Sequence, residues 1–384
     1  MAASEELGIL GVDNFHYFVA EPERSKQFYE GMFGWQPVAK AGQDMVSRTG
    51  QNCTVYEGGG IRVAVSTPDN DQCRAGRYLR RHPAGIGSMT FHVEDVDKAW
   101  NFLMNRKATP ITGIQESREG GGQYRHFSIT TAIGDVAFRF VEKNDFEAFA
   151  PGFDTIPLDP NTPVNPLGFK AVDHITNNAM SMASVTLWME HVMGMEQCWE
   201  IEFHTEDVNA GADTGTGLKS IVMWDPRSGL KFPVNEPLHP FFKEGQINGF
   251  VEENMGPGIQ HIALEVDDAV ATVRTLLNRG VKFLDTPDSY YAMSPERLKG
   301  LGVDVNAIKH DLMRDLQPQG ILIDGSPENN YLIQVFLKDA ATTYGDPNAG
   351  PFFYEIIQRC GDKGFGEGNF RALFESIERE QQAR

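Results

Sequence analysis

The chain has 384 residues, with 34 basic against 53 acidic side chains, a formal charge of -19 and a pI near 4.9. So acidic a surface repels polyphosphate and anionic lipid, which excludes nucleic acid and membrane surfaces as expected partners. At 41% hydrophobic and 23% charged residues the composition is that of a folded chain with room for two or three cores, neither disordered nor fibrous.

Cys53, Cys73, Cys198 and Cys360 are too scattered for a zinc cluster or a redox pair, so reduced thiols are expected. The start, Met-Ala-Ala-Ser-Glu-Glu-Leu, lacks the basic flank and apolar stretch of a secretory signal, and no later apolar run reaches membrane-spanning length. A cytoplasmic location is therefore expected.

In chain order, Phe15, Tyr17 and Val19 alternate as in a half-buried strand, and Pro22 among acids opens a helix that runs toward Phe33. Val63-Ala-Val65 predicts a strand. A second unit starts at Gly85, passes through a helix over Val96 to Asn105 and ends in a strand from Asp135 to Val141. Residues 1–150 form one expected domain, and the Pro-rich stretch 151–167 an expected linker, because proline opposes both helix and ladder.

From Gly168 the order of strand, helix and strands returns, giving a second domain over 168–384. Gly258-Ile-Gln-His261-Ile-Ala-Leu-Glu-Val266-Asp-Asp repeats the spacing of Gly85-Ile-Gly-Ser88-Met-Thr-Phe-His-Val93-Glu-Asp, so four related modules are expected. In this register His261 corresponds to Ser88 and His174 to Asn14. The first half lacks the ligands.

Further along, Val270, Val273, Leu276 and Leu277 share a helical face, and Ser294-Pro-Glu-Arg predicts the start of another helix. Tyr331 to Leu337 alternates as a strand. Gly364, Gly366 and Gly368 form an expected hinge before a closing helix over 369–382, whose Phe370, Leu373, Phe374 and Ile377 make one stripe; a lid is expected there.

His174 and His261 each interrupt an apolar run at equivalent points of repeated strands, and Glu355 sits between apolar neighbours in a third. A buried carboxylate needs a cation, since leaving it unpaired costs several kcal/mol. Two histidines and one carboxylate can cap one face of an octahedral ion and leave three positions open, which suits Fe(II) with a chelating substrate and dioxygen. His16, His82, His92, His126, His191, His204, His239 and His310 lack this equivalence and are read as structural or solvated. Gly364-x-Gly-x-Gly lacks the spacing of a phosphate loop, and there is no Gly-x-Ser-x-Gly elbow. Gln246, Gln260 and Gln334, in or beside apolar strands, need partners if buried, and the phenylalanines around Glu355 suggest an aromatic pocket.

The runs Val172-Asp-His174-Ile, Phe232-Pro-Val-Asn-Glu-Pro237, Gly258-Ile-Gln-His-Ile-Ala-Leu264, Glu355-Ile-Ile-Gln-Arg359 and Gly364-Phe-Gly-Glu-Gly-Asn-Phe370 resemble those of the 4-hydroxyphenylpyruvate dioxygenase family of the vicinal oxygen chelate superfamily. The resemblance implies an α+β, two-domain vicinal oxygen chelate fold, with four βαβββ modules forming two open half-barrels and a C-terminal lid helix. It implies Fe(II) as cofactor on His174, His261 and Glu355, and 4-hydroxyphenylpyruvate and O2 as substrates. Homogentisate and CO2 would be the products, in tyrosine and phenylalanine catabolism, and a homo-oligomer, dimer or tetramer, is expected.

By the same resemblance Ser220, Asn235, Gln246, Gln260 and Gln334 hold the substrate's phenol and order the pocket, while Pro233 shapes its wall. Phe336, Phe353, Phe365, Asn369, Phe370 and Leu373 enclose the ring. Lys219 departs from the amide of the family's Gly-Leu-Asn-Ser run, which bears on the pocket near Ser220. The rival readings are 4-hydroxymandelate synthase, a metal-free binding protein on the same fold, and extradiol ring cleavage.

Overall fold

The computed structural model describes residues 3–207, 211, 215–238, 245–369 and 371. In chain order its strands are β1 (Ile9–Phe18), β2 (Gln36–Ala41), β3 (Gln51–Gly58), β4 (Ile61–Pro68), β5 (Gly85–Val93), β6 (Pro110–Glu119), β7 (Gly122–Thr130), β8 (Ala137–Asn144) and β9 (Phe153–Thr155). The second half contributes β10 (Phe169–Asn178), β11 (Glu196–His204), β12 (Gly217–Trp224), β13 (Lys231–Pro237), β14 (Gly258–Val266), β15 (Leu322–Ser326), β16 (Asn330–Phe336) and β17 (Phe353–Cys360).

Among the described residues these make two curled sheets, in the orders β6-β7-β8-β5-β1-β4-β3-β2-β9 and β11-β12-β13-β10-β14-β17-β16-β15. The wiring repeats. In each half the first strand pairs antiparallel with one neighbour, β5 or β14, and parallel with the other, β4 or β13; a second parallel pair joins β5 to β8 and β14 to β17. Parallel neighbours need crossover connections. The helices Val96–Asn105 and Ala269–Asn278 provide them at equivalent places, each capped by an aspartate, Asp95 and Asp268, whose side chain accepts from the first-turn N–H groups.

The stretch 151–167 departs from a plain linker. Its proline-poor segment Phe153–Thr155 pairs with β2, and Gln36 Nε2 donates to the carbonyls of Thr162 and Pro163 at 3.1 and 3.3 Å. Local backbone bonding wins where proline is absent. The helix expected to start at Ser294 begins instead at Asp288 and contains Pro295. Buried Tyr290 and Tyr291 hold that earlier turn in place: the Tyr290 hydroxyl accepts from the Ile323 N–H at 2.9 Å and the Tyr291 hydroxyl donates to the Ile321 carbonyl at 3.0 Å, so tertiary bonds override the proline signal. Leu277 is more exposed than its helical stripe predicts, at 39%.

One core serves both halves. Alternation along β17 sends Tyr354 and Ile356 into it and leaves Phe353, Glu355 and Ile357 on the other face. Tyr354 meets Phe15, Phe28 and Phe33 of the first half, and Phe232 meets Phe91 and Phe138. Such aromatic pairs contribute beyond their buried area. A cavity of about 260 Å³ beside this seam is lined by Tyr17, Arg24, Tyr29, Phe352 and Tyr354, among others, and by none of the three proposed ligands. No helix among the described residues is long and apolar enough to cross a membrane.

Within the seam the hydroxyls of Tyr29 and Tyr354 are 2.8 Å apart and buried. Tyr354→Phe orphans the Tyr29 hydroxyl and is expected to destabilise the fold by about 1–3 kcal/mol, while removing both hydroxyls costs less than the two single changes together. Denaturation of the single and double variants measures this; additive losses would show that the pair is not coupled.

Candidate metal centre

The sheet register brings the three ligand candidates together. His174 on β10 pairs with Ala263 on β14, and Ala263 pairs with Glu355 on β17, so neighbouring strands carry all three to one inner face. His261 lies two residues before Ala263 on the same face. The Nε2 atoms of His174 and His261 lie 3.1 and 3.3 Å from Glu355 Oε2, and all three groups are nearly inaccessible, at 5%, 5% and 2% exposed. Their ligand atoms fall within 4.8 Å of one another.

Each histidine is oriented from behind. His174 Nδ1 donates to Asp173 Oδ1 at 2.8 Å, and Asp173 is held by Arg359 through Nε and the terminal nitrogen at 2.5 and 2.7 Å. His261 Nδ1 lies 3.0 Å from Gln260 Oε1. With protons on the Nδ1 atoms, both Nε2 lone pairs face Glu355. Bonding the distal nitrogen of a ligand histidine in this way sets its tautomer and raises its basicity.

Burial alone would raise Asp173, but the hydrogen bonds and charges of Arg359 and His174 hold it well below the usual carboxylate range. Burial also opposes charge on His174, yet Glu355 and Asp173 outweigh it and lift this imidazole to about 9. His261 is pushed down, by burial above all. Glu355 stays below its ordinary value because the two imidazoles more than offset the burial that would raise it. Without a metal, protons are the counter-charge that holds this carboxylate among the imidazoles. A divalent cation would replace them.

The inner face is short of partners in a way that fits such an ion. Glu355 Oε1, Thr176 Oγ1 and Asn178 Nδ2 are buried with no hydrogen-bond partner. Each orphaned group costs about 1–3 kcal/mol, and a metal with a polar ligand would satisfy them. Alternation along β10 sets Thr176 and Asn178 on the face of His174. That period-two spacing is the signal by which the sequence could have revealed them.

Three of the phenylalanines expected around the ring pack against the imidazoles. Phe353 stacks on His261 at 5.0 Å and 22°, Phe336 meets that ring edge-on at 5.8 Å, and Phe365 meets His174 edge-on at 5.5 Å. Trp199 packs behind Phe365 at 5.5 Å, and Lys231 Nζ lies 5.6 Å from the Phe365 ring centre; neither was anticipated. Phe370 and Leu373, with nearly all of the expected lid helix over 369–382, lie outside the described residues.

The polar set divides. Ser220 and Asn235 are buried register partners on β12 and β13, and Asn235 Nδ2 donates to Asn178 Oδ1 at 2.9 Å. Gln334 is buried on β16, two residues before Phe336, and Pro233 is buried on β13. Gln260 is engaged with His261, which makes it a positioning residue for the ligand. Gln246 stands apart, exposed at the first position of the helix Gln246–Glu253 and on no strand. Lys219 points to the opposite face from Ser220 and pairs with Glu200 at 3.4 Å, so the departure there does not enter the pocket.

The glycine segment after β17 is tied down through most of its length. Arg359 donates to the Gly364 carbonyl at 2.7 Å, Gly366 closes against the Gln334 side chain, and the Gly368 N–H donates to Asp324 Oδ2 at 2.7 Å. Asn369, expected around the substrate ring, accepts from the Tyr290 hydroxyl at 2.5 Å and is buried. A free hinge is not what this stretch provides; it is an anchored approach to the site.

Residues 11–140 and 171–294 each match the Glyoxalase/Bleomycin resistance protein/Dioxygenase superfamily. The chain is 33% identical over 387 aligned residues to the 4-hydroxyphenylpyruvate dioxygenase of Tetrahymena thermophila, covering 98% of this chain and 91% of that one. It belongs to this family. The Danio rerio relative of the same name is 32% identical, with 97% and 91% covered. A triple mutant of 4-hydroxymandelate synthase from Streptomyces coelicolor shares the fold with a TM-score of 0.78 at 26% identity, over 97% of this chain and 99% of that one.

Two substitutions test the centre. Asp173→Asn is expected to weaken divalent-metal binding about 10–100-fold by loosening His174, and Glu355→Gln to weaken it further by removing a ligand charge. Titration against a competing chelator measures both. Unchanged affinity in Asp173→Asn would remove its positioning role, and unchanged affinity in Glu355→Gln would remove Glu355 from the ligand set.

Proposed function

We propose that the protein is an Fe(II)-dependent 4-hydroxyphenylpyruvate dioxygenase, converting 4-hydroxyphenylpyruvate and O2 to homogentisate and CO2. The observation that carries this reading is the buried His174-His261-Glu355 trio, with Glu355 Oε1 unpartnered, in a chain of that family. Two imidazoles and one carboxylate suit iron(II) while leaving open positions. Bound there, the metal would supply chelation of the α-keto acid and activation of dioxygen.

The chain's own groups bind, orient and exclude water. A dianionic or monoanionic substrate enters an acidic protein, so its carboxylate depends on local positive charge at the centre. Phe336 and Phe353 stand at right angles, 6.4 Å apart, and form a corner beside His261 for an aromatic ring. Ser220, Asn235 and Gln334 are the buried polar groups on strands around that corner, and we assign them to the phenol end. Asn178 Nδ2 offers a further donor next to Asn235. Gln260 and Asp173 keep the imidazoles aimed.

Ring hydroxylation with side-chain migration, as against benzylic hydroxylation, requires the ring carbon bearing the side chain to be the nearer one to the reacting oxygen. A misplacement of about 1 Å can cost about a hundredfold in rate. Phe336, register partner of Glu355 on the adjacent strand, is the side chain best placed to set that distance. Iron-loaded protein is expected to release homogentisate from 4-hydroxyphenylpyruvate, and Phe336→Ile to lose rate and divert part of the product to 4-hydroxymandelate or 4-hydroxyphenylacetate. Chromatography of the products decides it. Mainly 4-hydroxymandelate from the unmodified protein would replace this reading with the synthase.

A further inference from the structure

The first half-barrel repeats the metal centre position by position, with its charge reversed. Thr90 pairs with Asn14 and Arg139 as Ala263 pairs with His174 and Glu355, so Asn14 stands in for His174 and Arg139 for Glu355. Ser88 replaces His261. The same register sets Ser128 where Phe336 stands and His126 where Gln334 stands, each being the partner of the corresponding β8 or β17 residue. Behind the ligands, the supporting pair survives: Asp13 Oδ1 binds Lys143 at 2.7 Å and Oδ2 accepts from Asn14 at 2.7 Å, as Asp173 binds Arg359 and His174. The scaffold of the centre is kept while its anionic ligand becomes a cation.

That cation is not neutralised. Arg139 Nε reaches only the Ser128 hydroxyl, at 3.4 Å, besides a bond with Tyr124, and its side chain is open to solvent. Arg74, on the neighbouring helix Arg74–Leu79, donates to the Gly87 carbonyl at 2.7 Å and lies 5.7 Å from the centre of the Phe18 ring. Among the described residues neither guanidinium has an ion-pair partner. The carboxylates Asp13 and Asp135 are occupied, the first by Lys143 and the second by His82 and Arg81.

The excess positive charge is felt locally. Burial first, and then Arg139 and Arg74, push His16 down to about 3; burial and Arg139 push His126 down to about 4. Both imidazoles are therefore neutral near pH 7 and able to donate one hydrogen bond each, and His126 Nδ1 is buried without a partner. In a chain of charge -19, a pair of unmatched guanidinium groups on a concave face is an anion's environment. The rings beside the guanidinium groups, Phe18 and Tyr78 next to Arg74 and Tyr124 against Arg139, are buried and belong to the packing behind the site. Planar guanidinium forks match the two oxygens of a carboxylate.

We propose that the amino-terminal half-barrel is an anion site, which takes a small carboxylate at Arg139 and Arg74 where the other half would take a metal ion at Glu355. The arrangement is a second site on the chain, independent of whichever reaction the metal centre performs.

The probe is 4-fluorobenzoate, followed by 19F NMR with the intact metal-loaded protein. Saturable binding is expected, weakened at least tenfold by Arg139→Gln, less by Arg139→Lys, and unaffected by Glu355→Gln. Turnover should be unchanged in both Arg139 variants when the probe is absent. His16 and His126 should titrate at higher pH with the probe bound, because a carboxylate offsets the arginines. Absence of saturable binding overturns the proposal, as does binding that Glu355→Gln abolishes and Arg139→Gln leaves intact. Displacement of the probe by inorganic phosphate of equal or greater affinity overturns its choice of a carboxylate.

Discussion

Everything on the inner face of the second half depends on a carboxylate, Glu355, buried between two imidazoles. Burying such a charge is costly enough that the surrounding structure must supply compensation, and here it comes from two neighbouring strands at once. The register of β10, β14 and β17 is what makes the three groups meet. A slip of one residue in β17 would turn Glu355 into the core and bring Tyr354 out. The shared aromatic seam prevents that slip, because Tyr354 is locked against Tyr29, Phe28 and Phe33 of the other half. In this sense the first half helps hold the candidate metal centre of the second.

The three candidate ligands were readable in the sequence because each interrupts an apolar run, and because the repeat singles out His174 and His261 from eight other histidines. Module order and capping aspartates were readable for the same reason, being local and periodic. What surrounds the ligands was less so. The Asp173–Arg359 pair joins residues far apart in the chain, and only strand register shows that they touch. Gln246 and Gln260 looked alike as amides near apolar residues, but one lies exposed on a helix and the other supports His261. Asn369 reads as part of a lid, yet its carbonyl is taken by Tyr290, a contact that depends on a helix whose start is displaced by tertiary bonding.

The comparison between halves shows how a duplicated scaffold can be turned to a different charge with few changes. The acid-base pair behind the centre is retained as Asp13 and Lys143, while three positions in front change from His, His and Glu to Asn, Ser and Arg. Replacing a carboxylate by a guanidinium at one strand position removes the only ligand charge and repels a cation from that place. At the equivalent place the amino-terminal half thus offers a cation neither the imidazoles nor the carboxylate of the second half.

The most direct measurement of the central claim is anomalous X-ray diffraction at the iron edge from crystals of the iron-loaded protein. The account predicts a single strong peak per chain, in contact with His174 Nε2, His261 Nε2 and Glu355, and none beside Asn14, Ser88 and Arg139. A principal peak elsewhere in the chain, or none at the trio with iron bound in solution, would contradict it.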